Sequence, residues 1–311
     1  MQIHIVMPHG GPLASPEMIR DFAQTVEESG FHGLGFFDHL ALPRAVESEY
    51  NLGAKPTGIP EDNLKKTLTP LYECLTVMGY VAGLTKRVRL STGILVLPLR
   101  NPIYNARQIA TLDAMSGGRV DLGIGVGWLE EEATAMQMPW DERGARTDEH
   151  IAVLRTLWES DDSYVSYKGR FYEFEEIDPK PHSLQRPLPI LIGGHAPVAR
   201  RRAGRVGNGW ITSKLDPEAQ ASGMEDTRAA AVAAGRDPDA LQWFTSIDVR
   251  FEHGAIKAPE KVFETLRAYQ ALGVGQVSLN AMARERADMF TLVQWLAKEI
   301  LPQFGDAEIA A

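Results

Sequence analysis

The runs VRLSTGIL (Val88–Leu95) and VDLGIGV (Val120–Val126) are two β-rich segments separated by a stretch of helical length that holds the apolar run Ile103–Met115. Two strands joined by so long a return must lie parallel, because a tight turn can join only antiparallel neighbours. Working outward from this unit, the same alternation recurs. Further strand-like runs fall at Gln2–Met7, Gly33–Asp38, Leu188–Ile192, Gly209–Thr212, Leu241–Val249 and Gln276–Leu279. Eight strands alternating with amphipathic segments predict the α/β class and a closed (β/α)8 (TIM) barrel. The 311 residues fit one such unit spanning 1–311, since these barrels run to about 250 residues and more as a single domain.

The intervening helices follow from periodicity and punctuation. Val262, Phe263, Leu266, Tyr269 and Leu272 fall at helical spacing before the stop at Gly273. Met289, Leu292, Val293, Leu296 and Ile300 form the last stripe, closed by Pro302. Ser15 before Pro16 reads as the cap and first turn of the first helix. Two excursions interrupt the alternation, at 41–68 and 129–187; the second carries an extra helix (Asp148–Glu159) and a hairpin-like Tyr164–Phe174. Insertions after barrel strands either build the pocket rim or shield the barrel.

A net charge of −9 and a pI near 5.4 argue against a nucleic-acid partner, which needs a basic face. The tight basic run Arg200–Arg201–Arg202 reads as a helix surface. With one cysteine, Cys74, an intramolecular disulfide is impossible, and its apolar helical setting suggests a buried thiol in a reducing, cytoplasmic compartment. The most apolar stretch, Gly93–Leu99, is far short of the roughly 20 residues a membrane span needs, and no signal peptide precedes the first strand.

Four groups of residues carry chemistry. Asp38 and His39 end the second strand, where barrel side chains emerge at the catalytic mouth; they are either an acid–base pair or a turn cap beside a wall histidine. Gly123, Gly125 and Gly127 alternate on the fourth strand and leave one face bare, which suits a planar ring, although small residues also fit the taper of a barrel. Gly193, Gly194, His195, Ala196 and Pro197 end the fifth strand and open a helix, a phosphate-binding arrangement unless it is only a tight connection. Gly207–Gly209 leads into the sixth strand and brings Thr212 and Ser213 to the same mouth. Ligand spacing for a metal is absent, and Lys214 reads as a surface lysine rather than a Schiff-base former.

Together these segments resemble the luciferase-like monooxygenase superfamily. The resemblance rests on Phe36-Phe37-Asp38-His39, the run from Ser91 to Pro102, Leu112 to Arg119, Gly123 to Trp128 and Ile192-Gly193-Gly194; it follows the whole chain in order and points most closely to the F420-dependent oxidoreductase branch. It implies a barrel that binds coenzyme F420, or alternatively FMN, across its mouth. Asp38 would contact the ring region and position His39, the matched catalytic histidine. Gly93 and Ile94 match the bulge behind the ring, where family members often have a cis peptide. Val126, Gly127 and Trp128 match ring and tail contacts, and Gly193, Gly194 and His195 match the phosphate cradle. In members that oxidise sugar phosphates a glutamate follows the matched glycine, and Trp128 stands there instead. With Trp140 and Phe37, Trp128 suggests a less polar substrate.

The resulting expectation is hydride transfer between F420 and a small organic substrate. A two-component FMN-dependent monooxygenase, served by a separate reductase, is the alternative, and a noncatalytic flavin-binding barrel the third reading. The resemblance also implies a homodimer, for which Leu71–Leu84 and Ile103–Met115 offer apolar surface.

Overall fold

A computed structural model describes residues 1–48, 50–51, 56–57 and 68–305. Eight parallel strands pair in chain order and close on themselves: β1 (Gln2–Val6), β2 (Gly33–Phe36), β3 (Arg89–Thr92), β4 (Val120–Gly125), β5 (Ile190–Gly193), β6 (Gly209–Ile211), β7 (Gln242–Glu252) and β8 (Gln276–Met282). The last pairing, of β1 with β8, runs from Gln2 opposite Gln276 to Ile5 opposite Leu279. This is the predicted (β/α)8 barrel. The third strand departs from its predicted extent. It stops at Thr92 and resumes at Leu95–Val96 on the far side of a cis Gly93–Ile94 peptide, now pairing with Ile124 and Gly125.

The helices form where the punctuation placed them. In α1 (Pro16–Glu28) the Ser15 hydroxyl accepts from the Met18 amide at 3.0 Å. The helix α2 (Cys74–Leu84) is capped by Glu73, and α3 (Pro102–Ser116) by Asn101, with Gly117 left-handed at its end. Then follow α4 (Glu130–Ala135), α5 (Arg143–Glu159), α6 (Pro197–Val206), α7 (Pro217–Ala233), α8 (Pro259–Ala271) and α9 (Arg286–Glu299). Pro302 does not simply end α9, because it opens one more turn, Leu301–Phe304.

The excursion at 129–187 contains α4, α5 and an antiparallel hairpin, Val165–Lys168 with Glu173–Ile177. Glu149 of α5 clamps the hairpin turn by accepting from the amides of Arg170, Phe171 and Tyr172. Much of the first excursion (49, 52–55 and 58–67) lies outside the described residues. The basic run is not uniformly superficial: Arg202 is buried and binds Asp148 of α5, so α6 docks there through its guanidinium. Cys74 is buried, as its setting suggested. Among the described residues no helix is long and apolar enough to cross a membrane.

Outward-facing strand residues such as Ile3, Ile5, Leu34, Leu90 and Leu122 join the helices in one apolar core. The barrel interior is different. It holds the polar residues His4, Ser91, Asp121 and Ser278 beside an apolar group in which Leu191, Ile211 and Phe244 pack with Ile94, and the Phe244 ring reaches His4 at 5.3 Å between centroids.

Candidate functional site

At the C-terminal ends of the strands opens a cavity of about 310 Å³, large enough for a planar ring system. Asp38, His39, Gly93, Ile94, Val126, Gly127, Trp128, Gly193, Gly194 and His195 all line it, as does Gly125, whereas Gly123 of the same glycine alternation does not. The strand ends explain why. The ladder of β2 stops at Phe36, so Phe37, Asp38 and His39 turn over the mouth from its last pair with β3. The β4 ladder stops at Gly125 and delivers Val126 to Trp128 to the facing rim.

Asp38 and His39 do not act on each other. The Asp38 carboxylate is fully buried and accepts from the Val96 amide at 2.8 Å and from both terminal nitrogens of Arg100 at 2.6 and 2.8 Å. It therefore fastens the chain just beyond the cis peptide. The expected positioning of His39 by Asp38 is thus corrected: the partner is Glu132, whose carboxylate lies 2.9 Å from His39 Nδ1. Glu132, on α4, is 2% exposed and also accepts from the amides of Leu40 and Ala41 at 2.5 and 3.0 Å. Burial alone would raise its carboxyl, but the hydrogen bond and charge of His39 and the two amides outweigh it and hold the group below its usual value. A carboxylate can only accept, so Nδ1 carries the hydrogen and Nε2 remains for the cavity. The Trp128 ring meets the imidazole edge to face, 6.1 Å between centroids.

The glycine alternation on β4 serves the bulge more directly than it serves a ring. A methyl group on Gly125 would stand 2.6 Å from Ile94 Cδ1, and one on Gly193 would stand 2.6 Å from Ile94 Cγ2. The Ile94 side chain occupies this niche and gives the cavity an apolar wall. Ser91, Thr212, Ser213, Thr245, Ser246 and Ser278 add hydroxyl-bearing residues to the cavity lining. Ser213 donates its amide to His195 Nε2 at 3.2 Å, which ties the end of β6 to the glycine turn after β5. Trp140 packs outside the cavity near Val96, beneath Arg143 at 3.6 Å, so among the described residues the phenylalanines and tryptophans that line the cavity are Phe36, Phe37, Trp128 and Phe244. Lys214 is also outside it, paired with Asp248 at 3.0 Å. Among the described residues no group of three histidine, cysteine or acidic side chains could hold a metal ion.

Glu132, the pairing of Arg100 with Asp38, and the cavity hydroxyls of Thr245, Ser246 and Ser278 are absent from the sequence reading. Glu132 sits in the run Glu130-Glu131-Glu132, which looks like an acidic first helical turn. Nothing local marks its third member as the one turned toward His39, 93 positions away.

The combination of a closed parallel barrel, a cis bulge at Gly93–Ile94 and a histidine at the end of β2 agrees with a direct sequence match. Residues 1–290 fit the luciferase-like monooxygenase family pattern. The chain belongs to this family. It is 34% identical over 196 residues to an uncharacterised protein of Mycobacterium tuberculosis, a match spanning 63% of this chain and 65% of that one, short of two thirds of the relative's length. It is also 34% identical over 168 residues, 53% of this chain and 46% of the other, to an FMNH(2)-dependent dimethylsulfone monooxygenase of Pseudomonas putida. In three dimensions it superposes on an F420-dependent secondary alcohol dehydrogenase solved with an F420–acetone adduct, with a TM-score of 0.74 at 18% identity over 96% of this chain and 98% of that one.

Proposed function

We propose that the protein transfers hydride between coenzyme F420 and a small organic substrate, with His39 moving the accompanying proton. The observation that carries this reading is the Glu132–His39 pair, whose imidazole lines the same cavity as Ile94. The residues suit such a cofactor: Ile94 offers an apolar surface to a ring, the cavity hydroxyls offer partners for polar ring edges, and Gly194 with His195 opens α6 toward an anionic tail. When bound, F420 supplies the carbon centre that gives or takes hydride.

The chain's own residues supply orientation and proton handling. Glu132 keeps hydrogen on Nδ1, so Nε2 is the atom that accepts a proton from a substrate hydroxyl or returns it. Phe37 and Trp128 exclude water beside it, and the Asp38–Arg100 pair holds the Ile94 bulge in place. The apolar aromatic side, with Trp128 in place of an acid, favours a small alcohol or carbonyl compound over a sugar phosphate. A homodimer formed through α2 and α3, and a separate reductase for the cofactor, belong to the same reading.

The second reading, an FMN-dependent monooxygenase, is favoured by the identity shared with the dimethylsulfone enzyme. Fluorescence titration of the purified chain with F420 and with FMN separates the two. Tight F420 binding with weak FMN binding is expected, and the reverse order replaces the first reading with the second. With F420 bound, His39→Ala should keep cofactor affinity and lose turnover; full turnover in that variant would remove histidine from the mechanism.

A further inference from the structure

Below the cavity, on the inward faces of β1 and β8, three buried polar atoms have no partner: His4 Nε2, Ser278 Oγ and Gln276 Oε1. They belong together. His4 is the register partner of Ser278, and Gln2, two residues before His4, is the partner of Gln276. His4 is 0% exposed and Ser278 is 6% exposed, and Ser278 also lines the floor of the cavity. The space around them is shaped for these side chains. A methyl group on Gly33 would meet the His4 ring at 2.5 Å, and one on Gly35 would meet Ser278 Oγ at 2.8 Å.

Hydrogen-bond accounting fixes what the site lacks. Ser91 Oγ lies 3.0 Å from Asp121 Oδ2 and 3.1 Å from His4 Nδ1, but a hydroxyl has one hydrogen to give. The Asp121 carboxylate, held by Arg89, can only accept, so the Ser91 hydrogen goes to it. His4 Nδ1 must then donate to Ser91, which leaves Nε2 as a bare acceptor. Burial, opposed by Asp121 and aided by His32 and Arg89, pushes the His4 imidazole down to about 4, so the ring is neutral near pH 7. Gln276 Nε2 already donates to Gln2, which leaves its oxygen as a second bare acceptor. Two acceptors and one hydroxyl in a buried space call for a guest that donates.

We propose that the barrel floor binds small hydrogen-bond donors, with His4 Nε2, Ser278 Oγ and Gln276 Oε1 as the acceptors it offers them. Two sources share that chemistry: a resident water molecule, or an N–H or O–H group of a ring compound entering from the cavity above. The site stands without the proposed function, since it follows from the unoccupied acceptors alone.

The test is nitrogen-15 NMR of the full chain labelled at the histidine rings, at neutral pH, without ligand and then with FMN or F420, using His4→Asn to assign the signal. Without ligand, Nδ1 should carry the hydrogen. Nε2 should be unprotonated yet hydrogen-bonded, with an exchange cross-peak to water, and Ser278→Ala should shift its resonance. A cross-peak that survives ligand addition identifies resident water; its loss, with a further shift of Nε2, identifies the donor on the ring. Both results support the site. A protonated Nε2, or an Nε2 that is free of hydrogen bonding and unmoved by Ser278→Ala and by both compounds, overturns it. Should His4→Asn fail to fold, the Ser278→Ala shift assigns the signal on its own.

Discussion

Removing the Glu132 carboxylate tests the central geometric claim, that this side chain and not Asp38 holds His39. In Glu132→Ala three donors lose their acceptor: His39 Nδ1 and the amides of Leu40 and Ala41. Each hydrogen bond to a charged group contributes about 1.5–3 kcal/mol, but the two amides are half-buried and water replaces part of the loss, so a net cost of about 2–4 kcal/mol follows. At about 2–4 °C per kcal/mol for a large domain, the unfolding midpoint should fall by about 4–16 °C. Glu132→Gln keeps the shape. Its carbonyl oxygen can still accept from both amides, while its NH2 group must donate to Nδ1, so only about 1 kcal/mol is lost and the imidazole hydrogen moves to Nε2. Thermal unfolding followed by circular dichroism measures the first effect, and histidine nitrogen-15 NMR the second. In turnover, Glu132→Gln should lose far more than its stability change accounts for, because the atom facing the cavity has changed from acceptor to donor. An alanine variant that unfolds within about 1 °C of the wild type, or a glutamine variant that leaves hydrogen on Nδ1, would refute the reasoning.

Three further outcomes follow from the same contacts. Asp38→Asn leaves Arg100 buried with half its counter-charge, Glu73 remaining at 3.1 Å; chemical denaturation should show a loss of about 3–5 kcal/mol, and a loss below 1 would mean the pair does not hold the bulge. Gly125→Ala overpacks against Ile94 and should cost about 1–3 kcal/mol, whereas in an Ile94→Ala background the same change should cost clearly less, a coupling that a double-mutant cycle reads directly. The Glu132 carboxyl is depressed in the folded chain, so its stabilisation is complete above the usual value of 4.5 and is lost as pH falls through the folded value. The part of the stability gap between wild type and Glu132→Gln that the carboxylate supplies should therefore be present above about pH 4.5 and close as pH falls further, and a gap that persists undiminished in strong acid contradicts the sign.

How much of this was legible in the sequence depends on the range of the interaction. The barrel was readable because each of its eight strands announces itself locally: Val88 to Leu95 has the composition of a strand whatever lies beside it. The site's membership was readable because a barrel brings all strand ends to one mouth, so Asp38, Gly125 and Gly193 had to meet once the fold was right. Pairings were not. Adjacency made Asp38 the natural partner of His39, yet consecutive residues on an extended chain point apart, and the carboxylate that reaches the imidazole comes from Glu132 on another element. The glycines of β4 were legible as a bare face, but what fills that face comes from other elements, Ile94 against Gly125, Val96 against Gly127, and Thr92 with Ile211 against Gly123.

The polar interior follows the same logic with a different result. Alternation along β1, β3, β4 and β8 turns His4, Ser91, Asp121 and Ser278 inward, and this could have been read from strand parity alone. Barrel interiors are ordinarily filled by branched apolar side chains, so polar residues at these positions need hydrogen-bond partners that only the closed structure can count. Three of the four find theirs within Ser91, Asp121 and Arg89 or their neighbours at one atom at least, and the atoms left over, His4 Nε2 and Ser278 Oγ, stand directly beneath the cavity. A floor with two bare acceptors and one hydroxyl favours ligands that bring a donor. The two faces of the site thus ask for different chemistry: the rim, through His39 Nε2, handles a proton in transit, while the floor offers fixed acceptors to a donor that stays.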